Sequence, residues 1–108
     1  DGFAVRVPTT TVSLLDLTVN LRDVVNEEKI EKAMREAAAG DLRGILAVSD
    51  EPVVSSDFRG SEYSAVVDLP LTQVIGGTMA RVVAWYDNEM AYSTRVVDLI
   101  SHVASRGV

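Results

Sequence analysis

The sequence contains no cysteine and only one histidine, His102. Without a thiol, these residues can form no disulfide, no thiolate metal site and no cysteine nucleophile, and the redox compartment stays undetermined. A single histidine leaves too few ligands for zinc, so we expect no metal site in this chain. His102 lies near the end of a predicted helix, and its neighbours at helical spacing, Asp98, Leu99, Ser105 and Arg106, form no catalytic motif with it. We therefore expect a surface histidine.

Positive charge and long apolar stretches are also scarce. Ten Lys and Arg stand against sixteen Asp and Glu, and the formal net charge of −6 makes nucleic acid or an anionic membrane a poor partner. No apolar run approaches the roughly 20 residues of a transmembrane helix, and the first residues do not resemble a signal peptide. Hydrophobic residues make up 47% of the 108 residues, which is typical of one folded domain. Because the sequence begins with Asp1 rather than Met, we expect a processed or partial chain.

Hydrophobic periodicity and turn residues predict six strands and two helices. The predicted helices cover residues 27–39, between an Asn26 N-cap and a left-handed Gly40, and residues 89–105, closed by Gly107. The predicted strands cover residues 3–7, 11–21 with a bulge near Ser13-Leu14, 44–48, 63–69, 73–75 and 79–86, the last two joined through Gly76-Gly77. This order predicts an α+β fold, with an antiparallel or mixed sheet and both helices on one face.

Two places hold candidate binding residues. Arg6 lies in a predicted strand, where it is either an outward-facing edge residue or a guanidinium that binds phosphate or carboxylate. The stretch 85–89 lies where a predicted strand meets a helix, and its residues either pack and cap this corner or bind a ligand. The amide of Asn88 both donates and accepts, so it can match another primary amide, and Tyr86 offers a ring and a hydroxyl.

Several stretches together resemble the phosphorylating glyceraldehyde-3-phosphate dehydrogenase family. The resemblance is collinear over essentially the whole chain and covers about the last third of that family's polypeptide. Its residues are Arg6-Val7-Pro8-Thr9, Val12-Ser13, Leu15-Asp16-Leu17, Arg43-Gly44-Ile45-Leu46, Val54-Ser55-Ser56-Asp57-Phe58, Trp85-Tyr86-Asp87-Asn88-Glu89, Tyr92-Ser93 and Arg95-Val96-Val97-Asp98-Leu99.

The resemblance implies roles for four residues. The family's arginine in the Arg-Val-Pro-Thr segment helps bind the substrate phosphate or the attacking inorganic phosphate, and here it is Arg6. The asparagine of the Trp-Tyr-Asp-Asn-Glu segment holds the nicotinamide carboxamide of NAD, and here it is Asn88. Tyr86 corresponds to a tyrosine near the catalytic histidine, and Tyr92 to one close to the nicotinamide pocket.

The resemblance also implies that part of the machinery lies elsewhere. In the family, the nucleophilic cysteine, the base histidine and the glycine-rich dinucleotide-binding half precede the segment that begins here at Asp1. We therefore expect residues 1–108 to be the C-terminal part of a catalytic domain, without catalytic residues and inactive alone. The enzyme implied is a cytoplasmic, homotetrameric, NAD(P)-dependent oxidoreductase of glycolysis, which converts glyceraldehyde 3-phosphate and inorganic phosphate to 1,3-bisphosphoglycerate. NAD is the expected cofactor, and NADP is left open.

Two alternatives stay open at this point. Met90-Ala91 stands where the family usually has a bulky residue and glycine, which leaves a related activity on erythrose 4-phosphate open. The intact Tyr86 favours glyceraldehyde 3-phosphate. The other alternative is a free-standing, non-catalytic interaction module that keeps the family's sheet and uses it for assembly.

Overall fold

The computed structural model describes residues 1–107, which form a mixed five-stranded sheet with two helices. The strands are β1 (Ser13–Asn20), β2 (Leu46–Ser49), β3 (Ala65–Asp68), β4 (Gln73–Ile75) and β5 (Met79–Tyr86). Their order across the sheet is β1-β5-β3-β2, and β4 also pairs with β5. Strands β2 and β3 are parallel, whereas the other pairs are antiparallel. The predicted α+β fold is confirmed.

Strand β5 is the centre of the sheet. All eight residues of β1 pair with it on one side, from Ser13 opposite Tyr86 to Asn20 opposite Met79. On the other side, β3 pairs with the end of β5 and β4 with its beginning. Val83 and Ala84 are consecutive and therefore face opposite sides of the sheet, and they are only 1% and 6% exposed, so β5 is buried on both faces at this point. The chain that leaves the end of β5 therefore starts from the most firmly held strand.

The two helices differ in how they attach to the sheet. Helix α1 (Glu27–Ala39) begins at the predicted N-cap, where the Asn26 side chain accepts from the Lys29 N–H at 2.8 Å, and it packs against β2. Helix α2 (Met90–Ser105) ends before a left-handed Gly107, as predicted. Only Ala91 of α2 is buried, so this helix is anchored at its beginning. No helix in residues 1–107 is long and apolar enough to cross a membrane.

The structure corrects three local predictions. Residues 3–7 form no strand, because no strand in the described residues pairs with them, and the Phe3 side chain is 93% exposed. The pairing of β1 is continuous from Ser13, without a bulge, and the irregular residue is Val12, with φ 77°. Gly40 has φ −116° rather than a left-handed conformation. Glycine suits this position for another reason, since a Cβ atom would lie 3.0 Å from the Glu36 carbonyl oxygen.

A small core fixes the segment between β2 and β3 against the end of β5. This segment contains a short 3₁₀ helix, Ser55–Phe58, and a second one, Leu69–Leu71, follows β3. The Phe58 ring stacks on the Trp85 ring, with centroids 5.8 Å apart, and the Trp85 Nε1–H donates to Asp68 at 3.0 Å. Val12 and Val66 are buried in the same cluster. The end of β5 is thereby surrounded by three chain segments.

Candidate functional site

The candidate site is a shallow, open groove where β5 ends and α2 begins, and we call residues 86–91 the β5–α2 corner. Three of the four residues singled out from the sequence line this groove together. The lining residues are Ser64, Tyr86, Asp87, Asn88, Ala91, Tyr92 and Arg95. A strand end that meets a helix start is a common place for binding residues, because rigid elements hold the side chains on both sides.

Asp87 is the most heavily hydrogen-bonded residue of the corner. It is only 5% exposed. Its Oδ1 accepts from the N–H groups of Glu89 and Met90, both at 3.0 Å, and from the Thr11 hydroxyl at 3.2 Å. Its Oδ2 accepts from the Gly60 N–H at 2.8 Å. These donors, with the Met90 N–H first, lower the pKa of the Asp87 carboxyl below its ordinary value, against a smaller opposing effect of burial. Asp87 is therefore a charged carboxylate that caps α2 and joins it to two other segments.

The Asn88 side chain has a defined orientation. Its Oδ1 accepts from the Val12 N–H at 3.0 Å. Because only the oxygen of an amide can accept from an N–H group, this contact decides which way the amide faces. The Asn88 Nδ2 group donates to no partner within residues 1–107, and a second lone pair remains on Oδ1. The groove therefore presents one amide with a donor and an acceptor available to a ligand.

The partner of Asn88 has an unusual backbone. Val12 is the one non-glycine residue with positive φ within residues 1–107, at 77°. This conformation is unfavourable for a β-branched residue and costs on the order of 1–3 kcal/mol. Two contacts hold it there, since the Val12 side chain is buried beside Phe58 and its N–H group is bound by Asn88.

The two tyrosines occupy different parts of the groove. Tyr86 is the last residue of β5, opposite Ser13, and is half-buried. Tyr92 lies in the first turn of α2 and is 72% exposed. Both rings can offer an apolar surface and a hydroxyl to a ligand, and Tyr92 can do so at little cost because most of it already faces solvent.

Sequence reasoning missed Arg95, which joins the far wall of the groove to α2. Its guanidinium lies 3.4 Å from both the Gly44 carbonyl oxygen and the Ser64 hydroxyl oxygen, and its Nε lies 3.1 Å from the Asp98 carboxylate. The signal was available in the sequence, because Arg95 follows Tyr92 by three residues and therefore lies on the same side of the helix.

Arg6 is not among the residues that line the groove. It lies in the extended segment before β1, is exposed, and makes no hydrogen bond or ion pair within residues 1–107. Its assignment to an anion site stays a prediction. His102 is exposed in the last turn of α2, as expected, and the described residues contain no cluster of potential metal ligands.

The fold and the groove define a class of protein: an α+β domain that holds an oriented amide and two tyrosines at the end of its central strand. Comparison with known families gives the particular family. The model for "Glyceraldehyde 3-phosphate dehydrogenase, C-terminal domain" matches residues 1–88, and the chain belongs to this family.

Curated relatives agree with this assignment. The chain is 48% identical over 108 residues to glyceraldehyde-3-phosphate dehydrogenase 1 of Bacillus subtilis, and 50% identical over 108 residues to glyceraldehyde-3-phosphate dehydrogenase of Geobacillus stearothermophilus. Both matches cover 100% of this chain and 32% of the relative. A chloroplastic relative from Arabidopsis thaliana is 50% identical over 105 residues, which is 97% of this chain and 26% of that protein. The chain thus spans about a third of the length of the first two relatives.

Proposed function

We propose that these residues are the C-terminal part of the catalytic domain of an NAD(P)-dependent glyceraldehyde-3-phosphate dehydrogenase, which converts glyceraldehyde 3-phosphate and inorganic phosphate to 1,3-bisphosphoglycerate. In this role the chain binds and orients ligands. Membership of the family supports the reaction. The observation that carries the chain's own part is the Asn88 amide, which is fixed by Val12 and free on its Nδ2 side.

The groove suits the carboxamide of a nicotinamide ring. A carboxamide offers one acceptor and two donors, and Asn88 offers the complementary donor and acceptor in one plane. The rings of Tyr86 and Tyr92 border the same space, so they limit where a flat ring can lie. When bound, NAD supplies the acceptor for a hydride from the substrate carbon. The contribution of Asn88 is to hold the nicotinamide in one orientation, and NAD is the cofactor we propose, with NADP as the alternative.

Arg6 is proposed to bind the substrate phosphate or the inorganic phosphate. Its guanidinium is exposed and uncompensated within residues 1–107, so it can form two parallel hydrogen bonds with phosphate oxygens. The covalent step of such a dehydrogenase needs a thiolate, and these 108 residues contain no cysteine. We therefore assign the nucleophile and its base to another part of the enzyme, and propose a cytoplasmic homotetramer acting in glycolysis.

Asn88→Asp in the intact polypeptide that carries this chain tests the nicotinamide contact. The variant keeps an oxygen for the Val12 N–H but removes the Nδ2 donors. We expect the KM for NAD to rise roughly tenfold, because a net hydrogen bond contributes about 0.5–1.5 kcal/mol and a carboxylate also disfavours an amide oxygen. The matched control is Asn20→Asp, an exposed asparagine at the end of β1, which should leave KM unchanged. An unchanged KM for NAD in Asn88→Asp would refute the proposed contact.

Arg6→Ala tests the anion site in the same protein. The apparent KM for phosphate or for glyceraldehyde 3-phosphate should rise about ten- to a hundredfold, since a hydrogen bond to a charged group contributes about 1.5–3 kcal/mol. Arg43→Ala, which removes an exposed arginine outside the groove, is the control. An equal apparent KM in the Arg6→Ala and Arg43→Ala variants would contradict the proposed role of Arg6 in binding phosphate. If the unmutated intact polypeptide has a higher kcat/KM for erythrose 4-phosphate than for glyceraldehyde 3-phosphate, the proposed substrate is wrong.

A further inference from the structure

Asp87 and Asn88 hold two consecutive residues of another segment. The Thr11 hydroxyl donates to Asp87 at 3.2 Å, and the adjacent Val12 N–H donates to Asn88 at 3.0 Å. Asp87 also binds the Gly60 N–H at 2.8 Å. We call these five residues the Asp87 network. It joins the start of β1, the loop before β3 and the start of α2 at one point.

From this geometry we infer that Asp87 is a positioning residue for the ligand-binding amide of Asn88. The inference rests on the proposed function, in which Asn88 contacts the nicotinamide. Asp87 itself is buried and all its hydrogen bonds go to the protein, so it acts on the ligand through its neighbour. Because one planar peptide unit joins the two residues, a shift of the Asp87 backbone also shifts the Asn88 backbone.

The contact of the second carboxylate oxygen separates this role from ordinary helix capping. Capping needs only one carboxylate oxygen, and Oδ1 provides it by accepting from the Glu89 and Met90 N–H groups. The other oxygen, Oδ2, is used for Gly60, 27 residues away along the chain. The second oxygen therefore contributes nothing to the cap and ties the loop to the corner.

The substitution Asp87→Asn separates the two roles. The amide oxygen can take the place of Oδ1 and keep the cap, because two backbone N–H groups need an acceptor there. The amide NH₂ then faces the Gly60 N–H, and two donors cannot bond. We expect this variant to fold with α2 capped and the loop at Gly60 released. Thr11→Val removes the hydroxyl contact alone and keeps the shape of the side chain.

The matched control is Asp57→Asn in the same loop. The Asp57 carboxylate accepts from the Val54 N–H at 2.8 Å, which is a contact within its own turn, and Asp57 does not line the groove. The exchange of carboxylate for amide is the same as at Asp87. Any effect of added amide or lost charge in general would appear in both variants.

The test compares the affinities of the intact polypeptide for NAD and for ADP-ribose, which lacks the nicotinamide. We expect Asp87→Asn to weaken NAD binding by up to about tenfold, because a misplaced Asn88 amide can lose at most the hydrogen bonds that Asn88→Asp removes. ADP-ribose binding should be unchanged, and Asp57→Asn should behave as the parent for both ligands. Amide hydrogen exchange at Gly60 and Val12 should be faster in Asp87→Asn than in Asp57→Asn.

Three other results would contradict either the positioning role of Asp87 or the nicotinamide contact of Asn88. If Asp87→Asn weakens NAD and ADP-ribose equally, Asp87 has only a structural role. If it changes neither affinity while Asn88→Asp weakens NAD binding, the inference is wrong and the proposed function stands. If Asn88→Asp itself leaves NAD binding unchanged, the proposed nicotinamide contact is wrong, and the positioning role is overturned together with it.

Discussion

The β5–α2 corner and the outer part of α2, residues 96–105, lie on one continuous stretch of chain but are held very differently. At the corner, Asp87 and Ala91 are each 5% exposed, and Asp87 alone accepts four hydrogen bonds. In the outer part of α2, Leu99 and Ile100 are 61% and 63% exposed. The groove is therefore built by contacts within this chain, whereas the outer helix is held mainly by its own backbone hydrogen bonds.

The largest effect on stability is expected from a matched pair of leucines. Leu69, between β3 and β4, is 2% exposed, whereas Leu99 on the outer part of α2 is 61% exposed. Leu69→Ala should lower the free energy of unfolding by about 2–5 kcal/mol through lost burial and a cavity. Leu99→Ala should change it by less than about 0.5 kcal/mol. Urea unfolding of the 108-residue chain measures both. If both variants lose a similar amount of unfolding free energy, the two regions do not differ in how firmly they are held.

A smaller effect should follow the charge of Asp87. The pKa of its carboxyl is lowered in the folded chain, so the charged form favours folding. This contribution is complete above the unfolded pKa of about 3.9, and it is lost as the pH falls through the lower folded pKa. The difference in unfolding free energy between the parent and Asp87→Asn should therefore be constant above about pH 5 and shrink as the pH falls below about 4.

Other carboxylates do not obscure this measurement. The pKa values of Asp16, Glu27 and Asp50 are also lowered, by hydrogen bonds from Arg81, from backbone N–H groups and from Arg35 respectively. They are present in both proteins, so their contributions cancel in the difference. A difference that stays constant with pH would mean that Asp87 contributes to the corner by shape and hydrogen bonding but not by its charge.

Local patterns predicted much of the fold. The N-cap at Asn26, the Gly76-Gly77 hairpin and the helix end at Gly107 depend on residues within a few positions of one another, and all three are confirmed. The strand predicted at residues 3–7 is wrong, since a strand also needs a neighbour with which to pair. The pattern in β1 predicted the strand correctly, but alternating apolar residues do not ensure burial. Leu15 remains 49% exposed in the strand that forms.

The candidate site was predictable in part. The stretch 85–89 stood out because it joins a strand to a helix, and three residues that line the groove, Tyr86, Asn88 and Tyr92, were named from the sequence. The contacts of Asp87 with Thr11 and Gly60 join residues 76 and 27 positions apart, and no local periodicity predicts such pairs. The left-handed conformation of Val12 was also unpredictable, because a valine gives no sign that tertiary contacts will override its backbone preference.

The most direct test of the proposed function is a crystal structure of the intact polypeptide with NAD bound. We predict that the nicotinamide carboxamide lies within about 2.7–3.2 Å of the Asn88 amide, with the Val12 N–H still donating to Asn88 Oδ1. The ring should lie beside Tyr86 and Tyr92. A carboxamide bound by other residues, with the Asn88 amide facing away from it, would contradict the role proposed for this groove.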